Sequence, residues 1–375
     1  MKKKVLTILL CVALIVTMMP VTGFAESGEN LMTGVCGPDA TYVFDSWNGV
    51  LKINGSGSVT EKVWEENGWI DQITQLDVGA NISNIEWAGI ENMTCLSGIY
   101  VDDANQTYKS IDGVLFDKNV ETLLCYPINK YNQNTYELPK TVTSIASESA
   151  KSFYGFRGVK KLYQLVLPEL MQEVNGSMFA GSSIELFSVS IENSYLQVQD
   201  GVIFSKDKTV LMSVAPRAYF EEGIYTVPAS VIEIKEKAFC SNQSIREVKF
   251  ESQSTLQTIG WGAFYECTGL EKIEIPQSIN VIPNSLFYNC ISLQKIQLPN
   301  SIKRIEDFAF YNCSALEKIT LPIQLNRIAP SAFWGCSRLK AIKIPSTVSY
   351  IGYYAFGACS SLQEVSMPSG ITIVE

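Results

Sequence analysis

Apolar residues in the C-terminal third of the chain recur at fixed offsets. A phenylalanine stands at Phe264, Phe287, Phe310, Phe333 and Phe356, a period of 23 residues. Three positions on comes a cysteine, at Cys267, Cys290, Cys313, Cys336 and Cys359. A leucine follows at Leu270, Leu293, Leu316, Leu339 and Leu362, and a proline closes each unit at Pro276, Pro299, Pro322, Pro345 and Pro368. Between leucine and proline lie aliphatics two apart, Ile273/Ile275, Ile296/Leu298, Ile319/Leu321 and Ile342/Ile344. That spacing puts both side chains on one face of a strand, and the proline then stops the strand because it lacks the N–H a ladder needs. A second aliphatic pair, three apart, follows at Ile279/Ile282, Ile302/Ile305, Leu325/Ile328 and Val348/Ile351. Spacing of three suits a helical turn or an irregular return segment better than a flat strand.

One such coil cannot bury its own apolar residues. Coils stacked at the ~4.8 Å strand spacing bury them as one continuous core, and each buried Phe, Leu or Ile contributes roughly 1.5–3 kcal/mol. A period of this length therefore predicts a repeat solenoid, mainly β with short irregular or helical returns.

The rest of the chain fits this frame. Residues 26–81 read as an N-terminal β cap, with Asn48-Gly49 between alternating apolar residues as a hairpin signal and Trp64 and Trp69 in the same segment. Residues 82–238 carry degenerate repeats, with Ile90 in the phenylalanine place and Leu96, Ile99 and Val101 in the strand. Two units there begin Asp112-Gly113-Val114-Leu115-Phe116 and Asp200-Gly201-Val202-Ile203-Phe204, 88 residues apart. Each reads as a two-stranded hairpin, around Asp117–Asn119 or Lys206–Lys208, fused onto a coil. Residues 239–375 hold the regular series, giving about eleven coils, the last incomplete. The sequence stops after Ile371 and Val374 without a polar capping unit; a fragment, an atypical cap and an edge paired with a partner all fit.

The Ala-Phe-x-x-Cys-x-x-Leu and Ile-x-Ile-Pro-x-Ser-Ile runs closely resemble BspA-type leucine-rich repeats of secreted and surface proteins. The Asp-Gly-Val-Leu-Phe variant and the cap-like N-terminal run match that family too. The resemblance implies a leucine-rich repeat fold, no common enzymatic activity, and roles in adhesion, with host proteins or other cells as partners.

Met1-Lys2-Lys3-Lys4, the apolar run Val5–Met19, and Gly23 and Ala25 read as a secretory signal peptide over residues 1–25. Removing its three lysines takes the charge from −9 to −12, and this spread acidity argues against nucleic-acid binding. No other stretch is long and apolar enough to span a membrane once the leader is cleaved. The product is expected to be secreted, or associated with a bacterial surface. Of ten cysteines one lies in the leader, and the column of five reads as buried free thiols. With no histidine, Ser-His-Asp, Cys-His and His-Glu-x-x-His chemistry is excluded, and no phosphate or dinucleotide loop is present. No enzyme activity, cofactor or metal is expected.

Binding suits a solenoid better. Strand residues facing away from the core form two stripes, among them Lys272, Lys295 and Lys318 in the first and Glu274, Gln297, Thr320 and Lys343 in the second. They read either as a solvated face or as a contact surface for an acidic protein or glycan. A second column, Tyr265, Tyr288, Tyr311 and Trp334, either packs coil on coil or stacks sugar rings. The expected function is a ligand-binding, adhesin-like protein, with a glycan-binding module or a structural spacer as alternatives.

Overall fold

The computed structural model of the chain describes residues 30–60, 63–85, 89–130, 134–147, 155–368 and 371–373. Residues 1–25, read above as a signal peptide, and Val374 lie outside them. The chain winds into a β-solenoid of about 13 turns. Its only α-helix among the described residues is the single turn Val63–Glu66.

Three walls make up each regular turn. The first is the parallel ladder of Leu-x-x-Ile-x-Ile strands, such as Glu247–Phe250, Lys272–Glu274 and Lys295–Gln297. In it Val248 pairs with Ile273 and Ile273 with Ile296. The alternation works as the pattern requires: Ile273 and Ile275 are buried while Lys272 and Glu274 are exposed.

The second wall departs from expectation. The aliphatic pair three apart does not mark a helical turn. Its first member sits in the turn after proline, and its second lies in a two-residue strand, as in Val281–Ile282, Arg304–Ile305, Arg327–Ile328 and Tyr350–Ile351. These short strands pair in parallel, with Ile282, Ile305, Ile328 and Ile351 as successive rungs. A hydroxyl two residues after the proline place fastens this corner to the coil below. Ser301 Oγ donates to Ile279 O at 2.6 Å, Thr347 Oγ1 to Leu325 O at 2.7 Å, and Ser278 Oγ to Leu256 O.

The third wall consists of turns, yet it too is laddered. Phe264 N donates to Leu286 O at 3.0 Å and Glu266 N to Tyr288 O at 2.7 Å; Phe287 and Asn289 repeat this one coil on. The residues two before and two after each phenylalanine take positive φ, for example Ser285 (52°), Asn289 (57°), Phe308 (56°) and Asn312 (55°). This left-handed pair turns alternate N–H groups toward the next coil. Inside the wall the phenylalanines stack, at 5.5 Å for Phe264–Phe287, 5.3 Å for Phe287–Phe310 and 5.0 Å for Phe310–Phe333. In the cysteine column Cys267, Cys290, Cys313 and Cys336 are buried as expected and Cys359 partly so, and the column has a second task. Each thiol donates to the phenylalanine carbonyl of the preceding coil, Cys290 to Phe264 O at 3.1 Å and Cys313 to Phe287 O at 3.2 Å. A side chain of this size fills the space and supplies a weak donor to a buried acceptor.

The two variant units are three-stranded meanders, not two-stranded hairpins. Tyr108–Ile111, Val114–Asp117 and Thr122–Cys125 form one, and Leu196–Gln199, Val202–Ser205 and Val210–Val214 the other. Asp112-Gly113 and Asp200-Gly201 make the first turns, all four with positive φ. A buried asparagine fastens each meander to the coil below. Asn193 Nδ2 donates to Pro168 O and Met171 O at 2.8 and 2.9 Å while its Oδ1 accepts from Tyr195 N and Leu196 N; Asn105 does the same in the first unit. Every polar atom of the amide is thereby used at both ends, as burial demands.

At the N-terminal end, Ala40–Asp45 and Val50–Ser58 form the hairpin that Asn48-Gly49 announces. Trp69 stacks on Phe44 at 4.2 Å, and Trp64 lies edge-on to Tyr42. Val50–Ser58 also pairs in parallel with Gln75–Val78 and Asn81–Asn84. Solenoid pairing thus begins inside the segment read as a cap, which accounts for the turns beyond eleven.

One regular unit breaks the pattern. Among the described residues, no backbone hydrogen bond joins Lys318, Ile319 or Thr320 to a neighbouring coil, and the first-wall sheet ends at Lys295–Gln297 and resumes at Ala341–Lys343. The next bond, from Lys340 N to Glu317 O, is stretched to 3.4 Å. In the same unit Gln324 occupies the hydroxyl place and makes no bond of that kind.

Candidate functional site

The first wall brings together the charged and polar residues picked out by strand parity. Lys272, Glu274, Lys295, Gln297, Lys318 and Thr320 line one open groove of about 630 Å³. Lys318, Thr320 and Lys343 line an adjoining groove of about 870 Å³, with Ile323, Ala341 and Pro345 beside them. Both share the coil at Lys318, where the backbone ladder is interrupted.

Ion pairing within the stripes is uneven. Lys272 Nζ lies 2.6 Å from Glu247 Oε1, and the hydrogen bond it donates holds the Glu247 carboxyl below its ordinary pKa. Lys340 pairs with Glu317 at 3.2 Å, and Arg246 with Glu271 at 3.4 Å. Lys272, Lys295 and Lys318 fall in one column of like charges, and the Lys272–Glu247 pair relieves it at one end. Among the described residues no carboxylate lies within ion-pair distance of Lys295, Lys318, Arg338 or Lys343. The two grooves thus hold four unpaired cations against the unpaired carboxylates of Glu274 and Glu364, on a chain of net charge −9. Sequence reading missed Arg338 and Ile323. Arg338 lies in the turn just before Leu339, where parity gives no direction. Ile323 carried a legible signal, because the same place in other units is Gln277, Asn300 or Ser346.

The aromatic column lies apart from these grooves, on the outer side of the third wall. Tyr265 and Tyr288 stack at 4.7 Å and 3°, Tyr288 and Tyr311 at 4.6 Å and 4°, and Tyr311 and Trp334 at 6.4 Å and 7°. Both ends are covered. The buried Lys237 places its Nζ 3.3 Å from the Tyr265 ring centre, and Tyr354 meets Trp334 edge-on at 5.4 Å. Gly357 backs onto the Trp334 ring, where any Cβ would collide with it. Ring faces, the part of an aromatic that stacks on a sugar, are thus occupied by one another. Burial pushes the Tyr288 hydroxyl above its ordinary pKa, with Tyr311 and Glu266 adding to the shift.

No cluster of three metal-ligating side chains occurs among the described residues. No helix there is long and apolar enough to cross a membrane. Burial raises the pKa of every cysteine in the column, the opposite of thiol activation.

The sequence matches the family model of the BspA type leucine rich repeat region in six copies, over residues 104–209, 223–336 and 257–375. The chain belongs to the BspA-type leucine-rich repeat family. Among solved structures, a leucine-rich repeat protein from Eubacterium ventriosum is 20% identical, with 92% of this chain and 93% of that one covered and a TM-score of 0.63. This likeness shows the shared solenoid fold. A leucine rich cell surface protein from Faecalibacterium prausnitzii is 18% identical over 91% of this chain and 96% of its own, with a TM-score of 0.48. No curated protein matches the sequence. Within the regular series of this BspA-type repeat array, the unit carrying Lys318 and Ile323 differs from its neighbours in its missing ladder bonds and its exposed aliphatic.

Proposed function

We propose that this chain is a non-enzymatic binding protein, exported and then secreted or held at a bacterial surface, that engages a protein or other cell-surface ligand through its strand face. The observation that carries the reading is the set of unpaired cations, Lys295, Lys318, Arg338 and Lys343, lining adjoining open grooves on an otherwise acidic chain. Such a patch attracts an acidic partner and orients it before contact. Family membership supports the reading by analogy, and the leader-like first 25 residues support export.

The test is to measure binding of the 26–375 product to a panel of extracellular matrix proteins, cultured cells and glycans. Binding is expected, and the combined variant Lys295→Glu, Lys318→Glu, Lys343→Glu should abolish it. Retained binding by that variant would overturn the choice of surface. Glycan binding lost only in Tyr288→Ala, Tyr311→Ala, Trp334→Ala would favour the aromatic column instead. Failure to bind anything in the panel would favour a spacer.

A further inference from the structure

Resting on the reading of the strand face as a ligand surface, we infer that the unit around Lys318–Ile323 is its recognition point, and that its occupant is an extended acidic peptide segment carrying one apolar side chain. Three departures converge on this unit. Its strand lacks the ladder hydrogen bonds of its neighbours, so the first wall opens into the larger groove there. Gln324 removes the hydroxyl that fastens the coil below Thr347 and above Ser301. Ile323 stands 68% exposed at a place filled by polar residues in the other regular units. An exposed aliphatic at a groove rim costs solubility and adds nothing to the core, whereas seated under a partner's side chain it becomes buried area.

The charges select the partner. Lys318 and Lys343 flank the groove that Ile323 lines, and Lys295 and Arg338 extend it on the other side. Lys318 and Lys343 are one coil and two strand positions apart, about 8 Å from the ~4.8 Å strand spacing and ~3.3 Å rise. Alternate side chains of an extended peptide are about 6.6 Å apart, so two carboxylates at i and i+2 reach both lysines. Lys318, Ile319 and Thr320 of the unladdered stretch line the same opening, and among the described residues their backbone groups are not used by a neighbouring coil. A sulfated or carboxylated glycan would satisfy the lysines but leave Ile323 in water.

The test uses the 26–375 protein and a fluorescent decapeptide of two Glu-Glu-Leu-Glu-Glu units. Its controls replace leucine by serine or glutamate by lysine, and a sulfated oligosaccharide serves as the glycan arm. The leucine peptide should bind in a salt-dependent way, and Ile323→Ser should weaken it about tenfold. Ile323→Ser matches the other units, so it leaves the fold intact, and circular dichroism checks this. Equal binding by the leucine and serine peptides, tighter binding of the oligosaccharide, or no effect of Ile323→Ser would each overturn the inference. If Ile323→Ser leaves cell or matrix binding unchanged while the triple charge reversal abolishes it, this inference fails and the broader reading stands. If both variants bind as before, both fall.

Discussion

Replacing Phe310 by alanine tests whether the phenylalanine spine carries stability coil by coil. Phe310 is fully buried, with stacked rings on both sides at 5.3 and 5.0 Å. Transfer and cavity terms put Phe310→Ala at about 3–5 kcal/mol, and the loss of two ring contacts places it in the upper half of that range. Phe356 is half-buried and stacks on one described ring, Phe333, at 5.4 Å. Phe356→Ala should therefore cost about half as much. Because coils touch only their neighbours, the loss is also local. Urea unfolding followed by tyrosine and tryptophan fluorescence measures the difference, and amide hydrogen exchange shows where it falls. In Phe310→Ala, protection should drop first over the coils of Phe287, Phe310 and Phe333 and persist in the N-terminal core around Trp64 and Trp69. Equal costs for the two variants, or a uniform loss of protection along the chain, would refute a nearest-neighbour spine.

Stability should also fall at high pH. Burial raises Cys240 to about 11 and lifts Cys267, Cys290, Cys313 and Cys336 further from the ordinary value of 9.0. Unfolded thiols lose protons from about pH 9 while folded ones keep them, so the contribution is complete below pH 9 and is lost as pH rises through the folded values. The slope approaches about 1.4 kcal/mol per pH unit for each thiol, and Cys313→Ala should flatten thermal unfolding midpoints measured from pH 8 to 10.5; a flat profile in the parent chain would contradict this. Ala358 holds φ of 54° without a glycine's freedom, so Ala358→Gly should stabilise by about 1 kcal/mol, and Gly335→Ala, at φ 73°, should destabilise by at least as much in urea. Gln324→Thr should restore the missing rung and add about 1 kcal/mol, with an unchanged midpoint counting against the role of that hydroxyl.

Side chains whose identity repeats were legible in the sequence, because a column of Phe or Cys at one offset has few explanations besides stacking. The short second-wall strands were not. Ile279 and Ile282 straddle a corner, and spacing across a corner measures neither strand nor helix period. The first strand of each meander was missed because Tyr108–Ile111 alternates over only four residues, although Asp112-Gly113 marked its turn. Strand parity placed Lys272, Lys295 and Lys318 on one stripe, but it could not say which would be paired. That depends on Glu247 lying opposite Lys272 while no carboxylate stands opposite Lys295. The opening at Lys318 depends on backbone spacing, which residue identity reports only through Gln324 and Ile323. Ring orientation was equally hidden: Tyr288 stands in line with its neighbours in either reading, and only geometry shows its faces to be filled.

Laddering on all three walls bears on how the array yields to force. Strands run across the long axis, so tension applied along that axis detaches one turn at a time. Each detachment breaks only the bonds of a single coil, with its Cys-to-Phe link and its phenylalanine contact. Resistance would therefore take the form of a series of small steps, weaker at the unladdered Lys318 coil, and a partly stripped array can rewind from the turn that remains.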